Sequence, residues 1–469
     1  MKRRQNHEIN HLTPLVLKTI RAAGKFAFNL GNTNARFRRW TWPICLGLQC
    51  LVQVQAQTRS DLDSQFEQLE SAISTVPFLQ PRLDFATWLK DHESQFDLDA
   101  KDLAQWQNTF AELRPTTGCE QLRHDNLRRH LDLIRNRARL IEELSEDARY
   151  EGRMSELPNG KKWYLHWLNS WLLLDFEQPL GPANIKHLKA IAKAELEKAH
   201  PNYLALSSSL SNRTEKGFSR SQHDDIVRAF KQREQQVNQN IEKTFGTLPK
   251  VPAVRIRPSN LPKSFPAPGI YNNENQTFYY HFTDQYLPSA SLDWLYLHEA
   301  VPGHHFQSNV SRQMSFCPGS SLSPLPLVMA EGWAAYVETL GQQLGVFQQT
   351  ESHHYALEWR VLRALRVLID VGIHYEGWSD EQALALWRQY LPERMSIGRR
   401  ELARIKRWPV QVISYVYGKH HIETLIQQLV AEHGTEHQAS IRNTILRLSN
   451  QPPVSLQTAS YFLTRNISK

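Results

Sequence analysis

Apolar residues recur at three- and four-residue intervals over residues 127–144 and 163–174, the spacing that gathers one face of an α-helix. From about residue 60 to 200 the pattern predicts a helical layer. Leu180-Gly181-Pro182 reads as a break, after which residues 183–199 resume a helix with lysines and glutamates on a solvated face. Residues 207–221 are polar and read as a loop, and one long charged helix follows over about 225–245. Prolines 249, 252, 258, 262, 266 and 268 then end the helices and frame an extended stretch, Val254-Arg255-Ile256-Arg257. Thr277-Phe278-Tyr279-Tyr280-His281-Phe282 is a second strand, and the two predict a short antiparallel sheet. Residues 315–326 read as loop. Residues 327–340 read as a helix in which Gly332, Ala334 and Ala335 permit close packing, and helices continue to near Arg447.

With 469 residues, 41% of them hydrophobic and 22% charged, the chain can bury one large or two modest cores. Its net charge of +8 suggests a basic protein, but residues 1–56 alone hold nine lysines and arginines against Glu8, which leaves the remainder neutral. Nucleic acid is therefore not an expected partner, because phosphate binding needs a basic surface on the folded domain. The N-terminal excess fits a leader instead: Arg36, Arg38 and Arg39 precede the apolar run Trp40–Leu48, and Val54-Gln55-Ala56 is a small-residue cleavage pattern. The domain reading is a leader over 1–56, a helical region over 57–250 and a catalytic region over 251–469, the last two forming one unit. No later run reaches the roughly 18 apolar residues of a spanning helix, so export predicts a periplasmic or extracellular protein without stable membrane insertion. Cys119 and Cys317 permit one disulfide without requiring it.

The chemistry concentrates in Leu297-His298-Glu299-Ala300-Val301-Pro302-Gly303-His304-His305-Phe306-Gln307. Imidazoles ligate zinc readily, and a glutamate beside the first ligand can take a proton from the water that the ion activates. In His-Glu-x-x-His, ligands at i and i+4 share a helix face. Here i+4 is Pro302, which has no N–H for the His298 carbonyl and should kink or stop the helix. A helical wheel therefore leaves His304 and His305 open as second ligand. Catalytic zinc needs a third protein ligand. Glu331, 33 residues beyond His298 on a separate helix, is the choice, with Glu338 two turns on as the alternative. Asp370 and Glu338 are candidates to orient the ligand imidazoles. His374 and Tyr415 are candidate donors to a tetrahedral oxyanion. Arg360, Arg363 and Arg366 could receive a substrate carboxylate, although a solvated arginine face is the simpler reading. No Gly-x-Ser-x-Gly, phosphate loop or dinucleotide fingerprint occurs.

His298-Glu299-Ala300-Val301-Pro302-Gly303-His304-His305 resembles the signature of the bacterial domain-of-unknown-function family numbered 885, regarded as predicted zinc peptidases. Pro158-Asn159-Gly160 with Trp163-Tyr164, Ala330–Tyr336, Asp370-Val371-Gly372-Ile373-His374, and Pro409-Val410-Gln411 with Ser414-Tyr415 and Gly418 resemble it too. The resemblance implies His304 rather than His305 as ligand and supports Glu331. The expected fold is mainly α, a large helical zincin-like metallopeptidase fold with a small antiparallel β element before the metal-binding helix. The expected function is an exported zinc peptidase: His298, His304 and Glu331 on the ion, Glu299 as base, His374 or Tyr415 steadying the intermediate, and a peptide or small amide as substrate. A zinc amidase acting on a non-peptide or cell-wall amide, or a noncatalytic metal-stabilised binding protein, are the alternatives.

Overall fold

The computed structural model describes residues 61–467 apart from 77–84, 88, 90–99, 145–148, 174–180, 211–215, 263–264, 266, 318–321 and 323–325. The expected leader lies outside the described residues. Gln65–Lys469 is one compact unit, and it is mainly helical.

Helix α1, Gly118–Glu142, begins at a capping box in which Thr117 accepts from the Glu120 amide and Glu120 reaches back to the Thr117 amide. Cys119 in its first turn is disulfide-bonded to Cys317, 198 residues on. Helix α2, Gly160–Leu172, buries Trp163, Tyr164 and Trp167. Helix α3, Pro182–Leu210, starts at the expected break but overruns the loop expected from residue 207. Its serines are accommodated in the helix with their hydroxyls bonded back to carbonyls of the preceding turn, Ser207 to Tyr203 and Ser208 to Leu204. The long charged helix is two pieces, α4 (His223–Asn238) and a short helix Ile241–Phe245, separated by a turn at Gln239 and Asn240.

Three short strands form the sheet beside the site: β1, Arg255–Pro258; β2, Gly269–Asn272; and β3, Thr277–Tyr280. The order is β1-β3-β2. The antiparallel element lies before the helix that carries His298, as expected, but it pairs β2 with β3, Gly269 opposite Tyr280. The two strands read from the sequence, β1 and β3, run parallel. Strand β2 escaped notice because Gly269 and the asparagines 272 and 273 read as turn residues.

Helix α5, Ser291–Leu295, continues as a π-helical turn over Tyr296–Ala300. The chain then turns through a cis Val301–Pro302 peptide, and α6 starts afresh at His304, running His304–Met314. Pro302 thus stops the helix. Gly303 is required by close approach, since a Cβ there would lie 1.9 Å from the His298 carbonyl oxygen, and the Trp333 indole N–H holds the turn by donating to the Pro302 carbonyl at 2.8 Å.

Helix α7, Leu327–Glu338, packs along α10, Ile413–His433, at glycine contacts. A Cβ on Gly332 would meet the Gly418 backbone at 2.4 Å, and one on Gly418 would meet the Val328 carbonyl oxygen at 2.1 Å. Helix α8, Thr350–Val371, runs against α3, and α9 spans Met395–Arg407. Two further helices, Gln438–Leu448 and Leu456–Ile467, close the chain, the second unforeseen.

Candidate metal centre

The π-turn at the end of α5, the first residue of α6 and the first turns of α7 converge on one point. His298, His304 and Glu331 each offer a ligand atom there, all within 4.8 Å of one another. Glu331 Oε2 lies 3.5 Å from His298 Nε2 and 3.4 Å from His304 Nε2. Two imidazole nitrogens and a carboxylate oxygen are a donor set that zinc accepts. The donors fit a cation by another measure: Glu331 Oε2 is buried and makes no hydrogen bond. Although burial opposes ionisation, contacts to His298 and His304 hold the Glu331 carboxyl well below the usual carboxylate range.

The His298 ring is fixed from behind. Its Nδ1 donates to Glu338 Oε1 at 2.7 Å, which directs Nε2 toward Glu331. Arg363 in turn binds both Glu338 oxygens, at 2.8 and 2.7 Å. Burial lowers the imidazole's proton affinity, but Glu331 and Glu338 outweigh it and bring the pKa to about 9. Trp294 stacks on His298 with ring centroids 5.4 Å apart, and Trp359 stacks on Trp294. Glu338 is therefore the carboxylate that orients His298, one of the two roles open to it.

Glu299 is buried, and its Oε2 has no hydrogen-bond partner. Burial pushes its carboxyl up, while His298, His304 and the Tyr271 amide pull the other way. Gly269 leaves room for it, since a Cβ would lie 3.3 Å from Glu299 Cγ. His305 takes no part in the ligand cluster. It is fully buried, and its ring bridges the Tyr271 hydroxyl at 3.1 Å and the Pro252 carbonyl at 2.8 Å, tying strand β2 to α6.

Tyr415 reaches the site from α10, donating to Glu331 Oε1 at 3.1 Å. His374 does not reach it. Its Nδ1 accepts from the Met154 amide and its Nε2 donates to the Ile405 carbonyl, so both nitrogens serve the backbone; burial keeps it neutral, with a pKa of about 3. The expected catalytic role for His374 is therefore dropped. Asp370 likewise orients no imidazole: it accepts from the Tyr164 hydroxyl and the Val410 amide. Tyr164, Asp370, His374 and Val410 come from three of the stretches that carried the resemblance, and they form a buried structural joint.

The site opens into a cavity of about 590 Å³. Strand β2 forms one wall, the apolar rings of Trp171, Phe265 and Trp408 line others, and Arg404, Gln411 and Tyr415 supply polar groups. Arg404 was missed by sequence reasoning, which had no signal for it beyond a cation in the last turn of α9. The arginines singled out instead are paired: Arg360 with Glu195, Arg363 with Glu338, and Arg366 with both oxygens of Glu401.

A profile of a bacterial protein family of unknown function, DUF885, matches residues 49–442. The chain belongs to this family. As a DUF885 protein it is also similar in structure to "the putative lipoprotein from Colwellia psychrerythraea", with 19% identity, a TM-score of 0.57, and coverage of 82% of this chain and 69% of that one. A second crystal structure, "a putative lipoprotein of unknown function from Shewanella oneidensis", is 18% identical with a TM-score of 0.47, covering 81% of this chain and 72% of that one. No curated protein matches this DUF885 chain. At such identities the Colwellia likeness establishes shared fold alone.

Proposed function

We propose that this protein is an exported zinc-dependent metallopeptidase. The observation that carries the reading is the convergence of His298, His304 and Glu331 within 4.8 Å, with the buried carboxylate of Glu299 beside them, its Oε2 without a hydrogen-bond partner. Zinc held by these residues supplies Lewis acidity that makes water nucleophilic near neutral pH. Glu299 takes the proton from the attacking water and returns it to the departing amine nitrogen. Its burial raises its basicity for that task. Tyr415 holds its hydroxyl over the ligand cluster, as a donor to the oxygen that gains charge when the carbonyl is attacked. Strand β2 lies at the sheet edge and lines the cavity, where an extended peptide can pair with its outer backbone edge.

Export is supported by the basic, apolar and small-residue succession over residues 36–56 and by the Cys119–Cys317 disulfide, since such bonds persist in oxidising compartments. The lipoprotein description of the Colwellia relative agrees with it. No helix among the described residues is long and apolar enough to cross a membrane.

Metal analysis of the purified mature chain, paired with a peptide-hydrolysis assay, tests the reading. The parent is expected to carry about one zinc per chain and Glu331→Ala almost none. Glu299→Gln should keep the zinc and lose about 10²- to 10⁴-fold in kcat. A chain that stays metal-free in excess zinc, or a fully active Glu299→Gln variant, would overturn it.

A further inference from the structure

Arg404 differs from the other cations around the cavity. Arg363 and Arg366, which also line it, are each held by a buried carboxylate. Among the described residues, no carboxylate lies within ion-pairing distance of Arg404. Its Nη2 donates to Gln411 Oε1 at 2.7 Å and to the Tyr415 hydroxyl at 3.4 Å, while its Nε is buried with no partner. Gln411 and Tyr415 are neutral, and although burial opposes it, Tyr415, Glu401 and Glu331 hold the guanidinium in its charged form without a carboxylate in contact, so it keeps a donor without a partner beside the cavity. A guanidinium with no carboxylate in contact can receive an incoming one through a charge-assisted, two-point contact.

Its position limits which carboxylate that is. One hydroxyl, that of Tyr415, separates the Arg404 guanidinium from the ligand carboxylate of Glu331. Consecutive residues of a peptide are about 3.8 Å apart, so an anion seated on Arg404 belongs to the residue next to the bond being attacked. The cavity, about 590 Å³, is of the size that encloses a single small ligand.

Building on the zinc-peptidase reading, we propose that Arg404, positioned by Gln411, binds the C-terminal carboxylate of a short peptide, so that the bond hydrolysed is the last one. Water adds its oxygen to the carbonyl carbon of the penultimate residue, the C–N bond breaks, and Glu299 passes the proton to the nitrogen of the released C-terminal amino acid.

The test uses the mature zinc-loaded protein and three N-acetylated tripeptides with apolar side chains: the free acid, its C-terminal amide, and an amide with glutamate in the last position. The parent should release the last amino acid from the free acid, with kcat/KM exceeding that for the plain amide by about 10- to 100-fold, the worth of one charge-assisted pair. Arg404→Gln should bring that ratio to about one and Arg404→Lys should retain part of it, since a point charge replaces the planar fork. Calorimetric binding of the free acid to Glu299→Gln should weaken by a similar factor when Arg404→Gln is added. Equal turnover of acid and amide by the parent overturns the proposal and leaves the peptidase reading standing. Preference for the amidated glutamate peptide also overturns it, assigning the site to an acidic side chain. Arg404-dependent binding of the free acid without hydrolysis of any peptide supports the carboxylate site and sinks the peptidase reading.

Discussion

His304 and His305 are adjacent in sequence and opposite in task because α6 begins between the turn and the core. As the first helical residue, His304 faces back across the turn to Glu331, whereas His305 points into the packing between α6 and β2. A wheel drawn through an unbroken helix at about 100° per residue would have favoured His305. His304→Ala is accordingly expected to abolish zinc binding, while His305→Ala keeps the metal and destabilises the fold by about 1–3 kcal/mol through its lost buried hydrogen bonds. Metal content and urea unfolding of the two variants check this, and retention of zinc by His304→Ala would sink the assignment.

At the scale of elements, the site depends on how closely α7 and α10 approach. Glu331 and Tyr415 sit one residue before Gly332 and three before Gly418, the pair through which the helices touch. Gly418→Ala places a methyl against the Val328 carbonyl and must push the helices apart. The expected result is a loss of about 1–3 kcal/mol, the usual cost of overpacking, together with weaker zinc binding as Glu331 is displaced. Chemical denaturation and a zinc competition titration read the two effects. A variant with parental stability and affinity would show that the contact does not set the site.

Across the described residues, burial holds several imidazoles neutral, His130, His166 and His374 among them. His130 is lowered to about 4 and His374 to about 3, in each case by burial first, and His166 lies well below its ordinary value for the same reason. Nearby Arg129, Arg137, Arg153 and Lys406 reinforce this. The unfolded chain takes up these protons near its ordinary value of 6.5, so the stability they allow is complete above that pH and is lost as pH falls toward the folded values. Asp370, raised to about 7 by burial, works in the opposite direction and offsets part of the loss. The urea midpoint should therefore fall between pH 7 and pH 5. An unchanged or rising midpoint would count against buried neutral histidines.

The sequence by itself determined the helical class, the stop at Pro302 and the cluster of imidazoles and carboxylates, because periodicity, proline sterics and donor chemistry are local properties. It also marked Gly332 and Glu331, since a small residue beside a carboxylate on one helix face is legible without a partner helix. What only the tertiary structure decided were pairings between distant segments. Arg363 and Glu338 were each visible but their pairing was not, and Asp370 as an orienting carboxylate and His374 as an oxyanion donor stood as candidates until Tyr164, Val410, Met154 and Ile405 were found to occupy them. Arg404 had no local mark at all. Its place on the cavity wall without a carboxylate in contact, while nearby Glu401 is taken by Arg366, is a property of the assembled cavity that no window of sequence contains.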